Sequence, residues 1–279
     1  MKENVNFCLN HLRKVDREIY TACLYLPKEV REAVVTLWAF DAEISRIPSL
    51  VSEPDLGEIR YQWWHDRLKL SEFDGSGPLL EALGKVIKEH DLPTEGFSNY
   101  LDARIQDLYH DPIPDNGTLE GYLGETVSVF FQMAALCLGG ERNTNLANAC
   151  GHAGMAVGLA RLMSQFARHR KQGRVYVPLD LLFKHGLARE DWLAADFTDR
   201  HHAAVDEWVR TIQYHLTFAR KVIEQLPKNL HPVFLPLAMV PPKLAFAKRK
   251  PGQIFQQGLE VSPLACQWHN FLGAIRQIP

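Results

Sequence analysis

Between Glu141 and Asp180 the chain carries no acidic residue, and within that window hydrophobic positions recur with a helical period. The pattern predicts one long helix over Asn143 to Lys171. Met155, Leu159, Leu162 and Phe166 make an apolar stripe on it. Gly154, Gly158, Arg161, Gln165 and Arg168 share a second face beside that stripe, through steps of three and four residues. Small residues at one end of this face and long polar ones at the other describe a helix lining a cavity with a polar mouth. The alternative is a solvated face with two incidental arginines. A helix of this kind buries its apolar stripe only against other elements, and the rest of the chain offers helices rather than strands.

Pro27 suits the first turn of a helix. From there Val30, Val34, Leu37, Trp38, Asp41, Ile44 and Ser45 keep the same steps until Pro48 disturbs the end. Further helices are predicted over Asp55 to Leu70, Leu79 to His90, Thr94 to Tyr109, Gly121 to Leu138, Arg189 to Ala194 and Asp199 to Leu226. Loops fall at 71–78 and 111–118, where Gly, Ser, Pro and Asp concentrate, and Asp180 is placed to start a turn or a cap. The tail, 229–279, holds Pro232, Pro236, Pro241, Pro242, Pro251 and Pro263, so its helices should be short or kinked. No strand-like alternation, repeat or linker interrupts the pattern, and the expectation is one all-α domain over residues 1–279.

At 46% hydrophobic residues the chain can bury a sizeable core, and a net charge of −2 provides no global field toward nucleic acid. The five cysteines are odd in number and include no CxxC pair, which argues against a disulfide framework or a zinc site and for reduced thiols. Cys23 and Cys137, in apolar surroundings, read as inert core thiols. The N-terminal residues lack the apolar run of a secretory signal, and a cytoplasmic protein is expected. The longest apolar run, Val127 to Leu138, is broken by Gln132 and is too short to span a bilayer.

Three segments resemble the squalene/phytoene synthase family of head-to-head prenyl transferases. They are YLPKEVREAVVTLWAFDAEIS (25–45), LEGYLGETVSVFF (119–131) and GLARLMSQFARHRKQGRVYVP (158–178), and the likeness is strongest over 20–187. The resemblance implies the isoprenoid-synthase fold, a bundle of helices around a central, apolar cavity. In active members two aspartate-rich helices face each other and hold magnesium ions that neutralise a diphosphate. Carried over residue by residue, the first motif's acidic positions fall on Ser45 and Ser49, with Arg46 between them. Those of the second fall on Gln165, Arg168 and His169. None is a carboxylate, and magnesium is poorly held by serine, glutamine and arginine. No metal or cofactor is therefore expected, unless the chain is an enzyme after all, in which case it needs magnesium.

Arg46, Tyr122, Arg161, Gln165, Arg168 and Arg174 are the expected ligand-binding residues, since arginine contacts phosphate oxygens directly. The competing reading pairs these cations with Asp41, Glu43 or Glu58. Tyr122 either lines the cavity or hydrogen-bonds within the core, and Gly173 is placed to end the long helix in a left-handed cap. Residues 43–68, EISRIPSLVSEPDLGEIRYQWWHDRL, are similar to a divergent branch of the family that includes the assembly factor 6 of respiratory complex I and its bacterial relatives. That likeness implies a non-catalytic protein that helps build the membrane NADH dehydrogenase; joined to the arginines above, the expectation is a pseudoenzyme that binds an isoprenoid or phosphorylated lipid and acts with respiratory-complex subunits, peripherally at the inner membrane and on the matrix side in a eukaryote. The alternative is an active prenyl transferase making squalene- or phytoene-like products. Two further expectations concern surfaces. His201 and His202 read as a solvated helix start. The tail segment 237–255, with Lys243, Lys248, Arg249 and Lys250, reads as a kinked helix with an exposed basic turn, a membrane-resting segment or a docking site.

Overall fold

The computed structural model describes residues 2–71, 73–194 and 196–276. The loop predicted over 71–78 therefore includes one position, Glu72, outside them, as do the ends of the expected domain. The helices, in order, begin with α1 (Lys2–Val15), α2 (Arg17–Cys23), α3 (Lys28–Ile44), the short α4 (Ile47–Leu50), α5 (Pro54–Leu70), α6 (Pro78–Glu89) and α7 (Thr94–Ile105). After a 3₁₀ turn, Gln106–Leu108, come α8 (Asn116–Leu123), a π-helical segment Gly124–Ser128, and α9 (Val129–Cys137). Then follow α10 (Thr144–Ser164), α11 (Phe166–Lys171), α12 (Leu179–Lys184), α13 (Arg189–Leu193) and α14 (Asp199–Ile223). A 3₁₀ stretch, Lys228–Met239, leads to α15 (Val240–Arg249), α16 (Pro251–Gln257) and α17 (Pro263–Arg276). No strand occurs among the described residues.

The helix centres lie where hydrophobic periodicity places them, because burying an apolar stripe dominates helix stability in a protein. The first two helices escape that signal. Within α1 only Cys8 and Leu12 reach the core, too few to mark a face, while α2 is fixed by Asp16, whose carboxylate accepts the Ile19 amide at 3.0 Å. At the other extreme, α3 is buried continuously from Ala33 to Ala42 and runs through the middle of the bundle.

α10 is the second central helix and packs along α14, where Trp208 donates its indole N–H to the Leu159 carbonyl at 3.1 Å. It also crosses the π-helical segment. A Cβ on Gly154 would stand 2.5 Å from the Ser128 Cα, so only glycine permits this approach. The long helix predicted over Asn143 to Lys171 breaks at Gln165 (φ −104°, ψ 9°). Its cause lies in the tail: the Leu259 amide takes the Ser164 carbonyl at 2.9 Å, an acceptor that an unbroken helix would give to Arg168. Gly258 makes this possible with φ +75°, and a Cβ there would meet the same carbonyl at 2.7 Å. α11 ends in a left-handed Gly173 (φ +71°), with the Arg174 amide bonded back to the His169 carbonyl at 2.9 Å.

The prolines cut the tail into short helices. Within Lys228–Arg249 an 18-residue window is apolar enough to cross a membrane (mean hydropathy 1.3), but 72% of that window is buried, which makes it core. Within 237–255, Leu237, Met239, Val240, Ile254 and Phe255 all point inward, and Lys243 is buried and bonded to Glu18 at 2.7 Å. That segment therefore does not offer its apolar residues to a membrane or a partner.

Candidate functional site

The ends of α3, α7 and α10 converge on the π-helical segment and α11 around a cavity of about 230 Å³. Ser45, Arg46, Tyr122, Arg161, Gln165, Arg168, His169 and Arg174 all line it. The remaining position, Ser49, does not; its hydroxyl donates to the Arg46 carbonyl at 2.7 Å on the exposed side of α4. Asp16, Asp41, Arg104, Asp107, Thr126, Gln172 and Tyr176 complete the polar lining. Sequence reasoning missed Asp16, Arg104 and Asp107. Only the i, i+3 spacing of the last two marks them, and Asp16 comes from a helix junction distant in sequence.

The cavity is polar rather than apolar. Its floor is a buried network centred on Arg104. That guanidinium donates to Asp41 at 2.9 Å, to Asp107 at 3.1 Å and to the Tyr122 hydroxyl at 3.0 Å. Asp107 also accepts the Tyr122 hydroxyl at 2.9 Å and the Tyr176 hydroxyl at 2.8 Å. Asp41, 3% exposed, accepts from Tyr100 at 2.9 Å and faces Arg161 at 3.6 Å. Burial, and secondarily the Asp107 charge, hold the Tyr122 and Tyr176 phenols above their ordinary range. Burial opposes the charge of Arg104, yet its tyrosine and aspartate partners outweigh that and keep it cationic. Behind this floor Trp38, Phe40, Tyr100 and Phe130 pack against one another at ring distances of 4.8 to 5.5 Å, so the space deeper in the bundle is filled by side chains.

Arg161, expected among the ligand-binding residues, is committed internally. It bonds Asp16 across the α1–α2 junction and faces Asp41, and these acids hold it charged against the cost of burial. Arg46 is half-exposed and lies 3.7 Å from Glu43. The two alternatives read from the sequence thus divide between residues: Arg46 and Arg161 pair with acids, while Arg168 and Arg174 form no ion pair among the described residues. Glu58 pairs with neither and accepts from Tyr109. His169 lies between the two unpaired arginines. Burial, then the charges of Arg168 and Arg174, push its pKa down from 6.5 to about 3, so it is neutral at physiological pH. The His169 Nδ1 and the Arg174 Nε are buried without a partner among the described residues.

A divalent ion does not fit this donor set. No group of three His, Cys, Asp or Glu side chains among the described residues could hold one. The three aspartates that reach the cavity give their oxygens to arginines, tyrosines and a backbone amide. Arg104 and Arg161 hold these carboxylates, and Arg168 and Arg174 also line the cavity. Elsewhere, His201 is a buried cap and not a solvated residue: its Nδ1 bonds the Thr198 hydroxyl at 2.8 Å and its Nε2 the Asp191 carbonyl at 3.0 Å. The five cysteines are free and buried, and desolvation raises Cys137 to about 12.

An all-α bundle closing over a cavity at the meeting of these helices has the isoprenoid-synthase architecture. It superposes on a dehydrosqualene synthase with a TM-score of 0.84 at 15% identity, covering 99% of this chain and 95% of that one. Squalene synthase HpnC of Alicyclobacillus acidocaldarius gives a TM-score of 0.75 at 19% identity, covering 89% and 94%. The chain belongs to the squalene/phytoene synthase family, whose sequence profile matches residues 12–265. It is 27% identical to the human NADH dehydrogenase (ubiquinone) complex I assembly factor 6 over 91% of this chain and 77% of that protein. To the presqualene diphosphate synthase of Rhodopseudomonas palustris it is 22% identical, over 76% of each.

Proposed function

We propose that this chain is a non-catalytic member of its family that assists the assembly of respiratory complex I and holds an anionic, lipid-like ligand in the cavity between α3, α10 and α11. The observation that carries the reading is a substitution of charge. Positions 45, 49, 165, 168 and 169 bear no carboxylate, and the acids that do reach the cavity are bound to Arg104 and Arg161. Metal-assisted departure of diphosphate needs a free cluster of carboxylate oxygens. Direct binding of a phosphate group needs only arginines with open donors, and Arg168 and Arg174 supply them. The similarity to assembly factor 6 along most of the chain supports the assembly role, and with it action on the cytoplasmic or matrix face of the inner membrane. At 230 Å³ the cavity is below the roughly 300–1,000 Å³ usual for drug-sized ligands, which favours a headgroup as the bound part.

Two measurements test this together. Deleting the gene in its host should lower fully assembled complex I on native gels while leaving its subunits synthesised. Incubating the protein with farnesyl or geranylgeranyl diphosphate and magnesium should release no pyrophosphate. The similarity to presqualene diphosphate synthase favours the second reading, an active head-to-head prenyl transferase, and pyrophosphate release would establish it over the first.

A further inference from the structure

The helix α17 has its apolar residues on the wrong side for a core helix. Its buried positions are Cys266, Asn270 and Gly273. Leu264, Trp268, Phe271 and Ile275 instead remain 78%, 58%, 44% and 62% exposed. At 3.6 residues per turn these four form one narrow stripe, opposite the buried three.

The rotation of α17 is fixed. Asn270 is fully buried and donates to the Thr21 hydroxyl of α2 at 2.7 Å. Thr21 in turn donates to the Arg17 and Glu18 carbonyls at 3.0 and 2.9 Å. On the same side Ala274 packs against Leu235 and Ala238 of the 3₁₀ stretch. Turning the stripe inward would break the Asn270 bond and force Trp268 into a contact sized for glycine and alanine. A contiguous, outward, ordered apolar stripe of this kind marks an interaction surface.

Charge selects the occupant. No acid occurs on α17, and from Gln225 to the last residue Glu260 stands alone against Lys228, Lys243, Lys248, Arg249, Lys250 and Arg276 in a chain whose total is −2. Lys243 is the one of these with an acidic partner among the described residues, Glu18. Arg276 ends the stripe, and its charge reaches Arg220 of α14; the acids Glu18 and Asp16 lie with Lys243 and Arg17 on the buried side of α17, around Cys266. A second apolar surface, on α5, is different: Ile59 and Trp63 there alternate with Asp55, Glu58, Arg60 and Asp66, charges of both signs that lipid headgroups would not match. An acid-free stripe with a tryptophan and an arginine at its end suits the interfacial region of an anionic bilayer.

We propose that α17 is a membrane-docking helix: Leu264, Trp268, Phe271 and Ile275 enter the interfacial layer of an anionic bilayer while Arg276 meets its phosphates. This docking rests on α17 alone and is independent of the assembly role.

The test is flotation of the full chain with vesicles of phosphatidylcholine, alone or mixed with phosphatidylglycerol. The wild-type chain should float with the mixed vesicles, less so as salt rises. Replacing Trp268→Gln and Phe271→Gln together should reduce binding at least tenfold with an unchanged melting temperature, because both side chains are exposed. Ile59→Gln, an equally exposed loss on α5, should bind as wild type. Brominated lipid should quench a tryptophan signal that disappears in Trp268→Phe, a variant that still binds. Failure of the wild type to float, wild-type binding by the double variant, or absence of that quenching overturns the proposal. So does a dimer in sedimentation that the double variant abolishes, since the stripe would then belong to a second copy.

Discussion

At the scale of single residues, the cavity floor depends on Arg104. Among the described residues its guanidinium is the one cation that contacts both Asp41 and Asp107, two buried carboxylates. Replacing it with an apolar residue leaves both acids in a low-dielectric site with mainly phenols as donors. Breaking a buried ion pair from one side costs about 3–5 kcal/mol, so Arg104→Met should lower the unfolding free energy measured in urea by that amount. A change under about 1 kcal/mol would mean the acids take up protons instead. His169 makes the complementary prediction in acid. Its folded pKa of about 3 lies below its ordinary 6.5, so the unfolded chain binds the proton first. The stability it contributes is present above pH 6.5 and is lost as pH falls through the window toward 3, at up to about 1.4 kcal/mol per pH unit. His215, lowered to about 4 by burial and then by His152, acts in the same direction. The denaturation midpoint of His169→Gln should therefore fall less steeply than wild type between pH 6.5 and 5. The residues that carry these effects were unevenly legible. Ser45, Gln165 and Arg168 could be placed from motif spacing because the first two cap the strongly periodic α3 and α10 and Arg168 follows within a turn on α11. The pairing of Arg161 with Asp16, 145 positions away, follows only from how the α1–α2 junction packs against α10.

At the scale of elements, helix positions were readable wherever one face is apolar and unreadable where another segment intervenes. The break at Gln165 is such a case, since Leu259 and Gly258 impose it from the tail. The crossing of α10 with the π-helical segment is another. Its closeness is hidden in the sequence as one glycine among several, but the structure separates them. A methyl group on Gly154 would come within 2.5 Å of the Ser128 backbone, whereas one on Gly151, a turn earlier, would meet nothing within 4 Å. Overpacking such a contact costs about 1–3 kcal/mol, so Gly154→Ala should destabilise by at least that much in urea titration. Gly151→Ala should stabilise by about 0.5–1 kcal/mol through helix propensity. Equal effects of the two substitutions would show that the helices do not meet as closely as this geometry requires.

At the scale of the whole molecule, the squalene/phytoene synthase fold surrounds a cavity whose aspartates are bonded to arginines and tyrosines. In a site that holds magnesium through carboxylates, the metal bridges protein and diphosphate, so added magnesium strengthens binding of the anion. On the proposed reading Arg168 and Arg174 would contact the anion directly, and magnesium would compete with them for the same phosphate oxygens. Inorganic pyrophosphate alone should therefore raise the melting temperature, because a ligand that binds only the native state stabilises it by RT ln(1 + [L]/Kd), about 2.7 kcal/mol at a hundredfold excess over Kd. Magnesium added in excess should shrink that shift, and magnesium without pyrophosphate should produce none. Arg168→Gln with Arg174→Gln should abolish the shift. Loss of either charge also relieves the depression of the neighbouring His169 pKa, so the double variant should lose less stability in mild acid than wild type even without ligand. A shift that grows with magnesium would instead mean that Asp16, Asp41 or Asp107 releases its arginine to take the metal, and the reading of this cavity as metal-independent would fail.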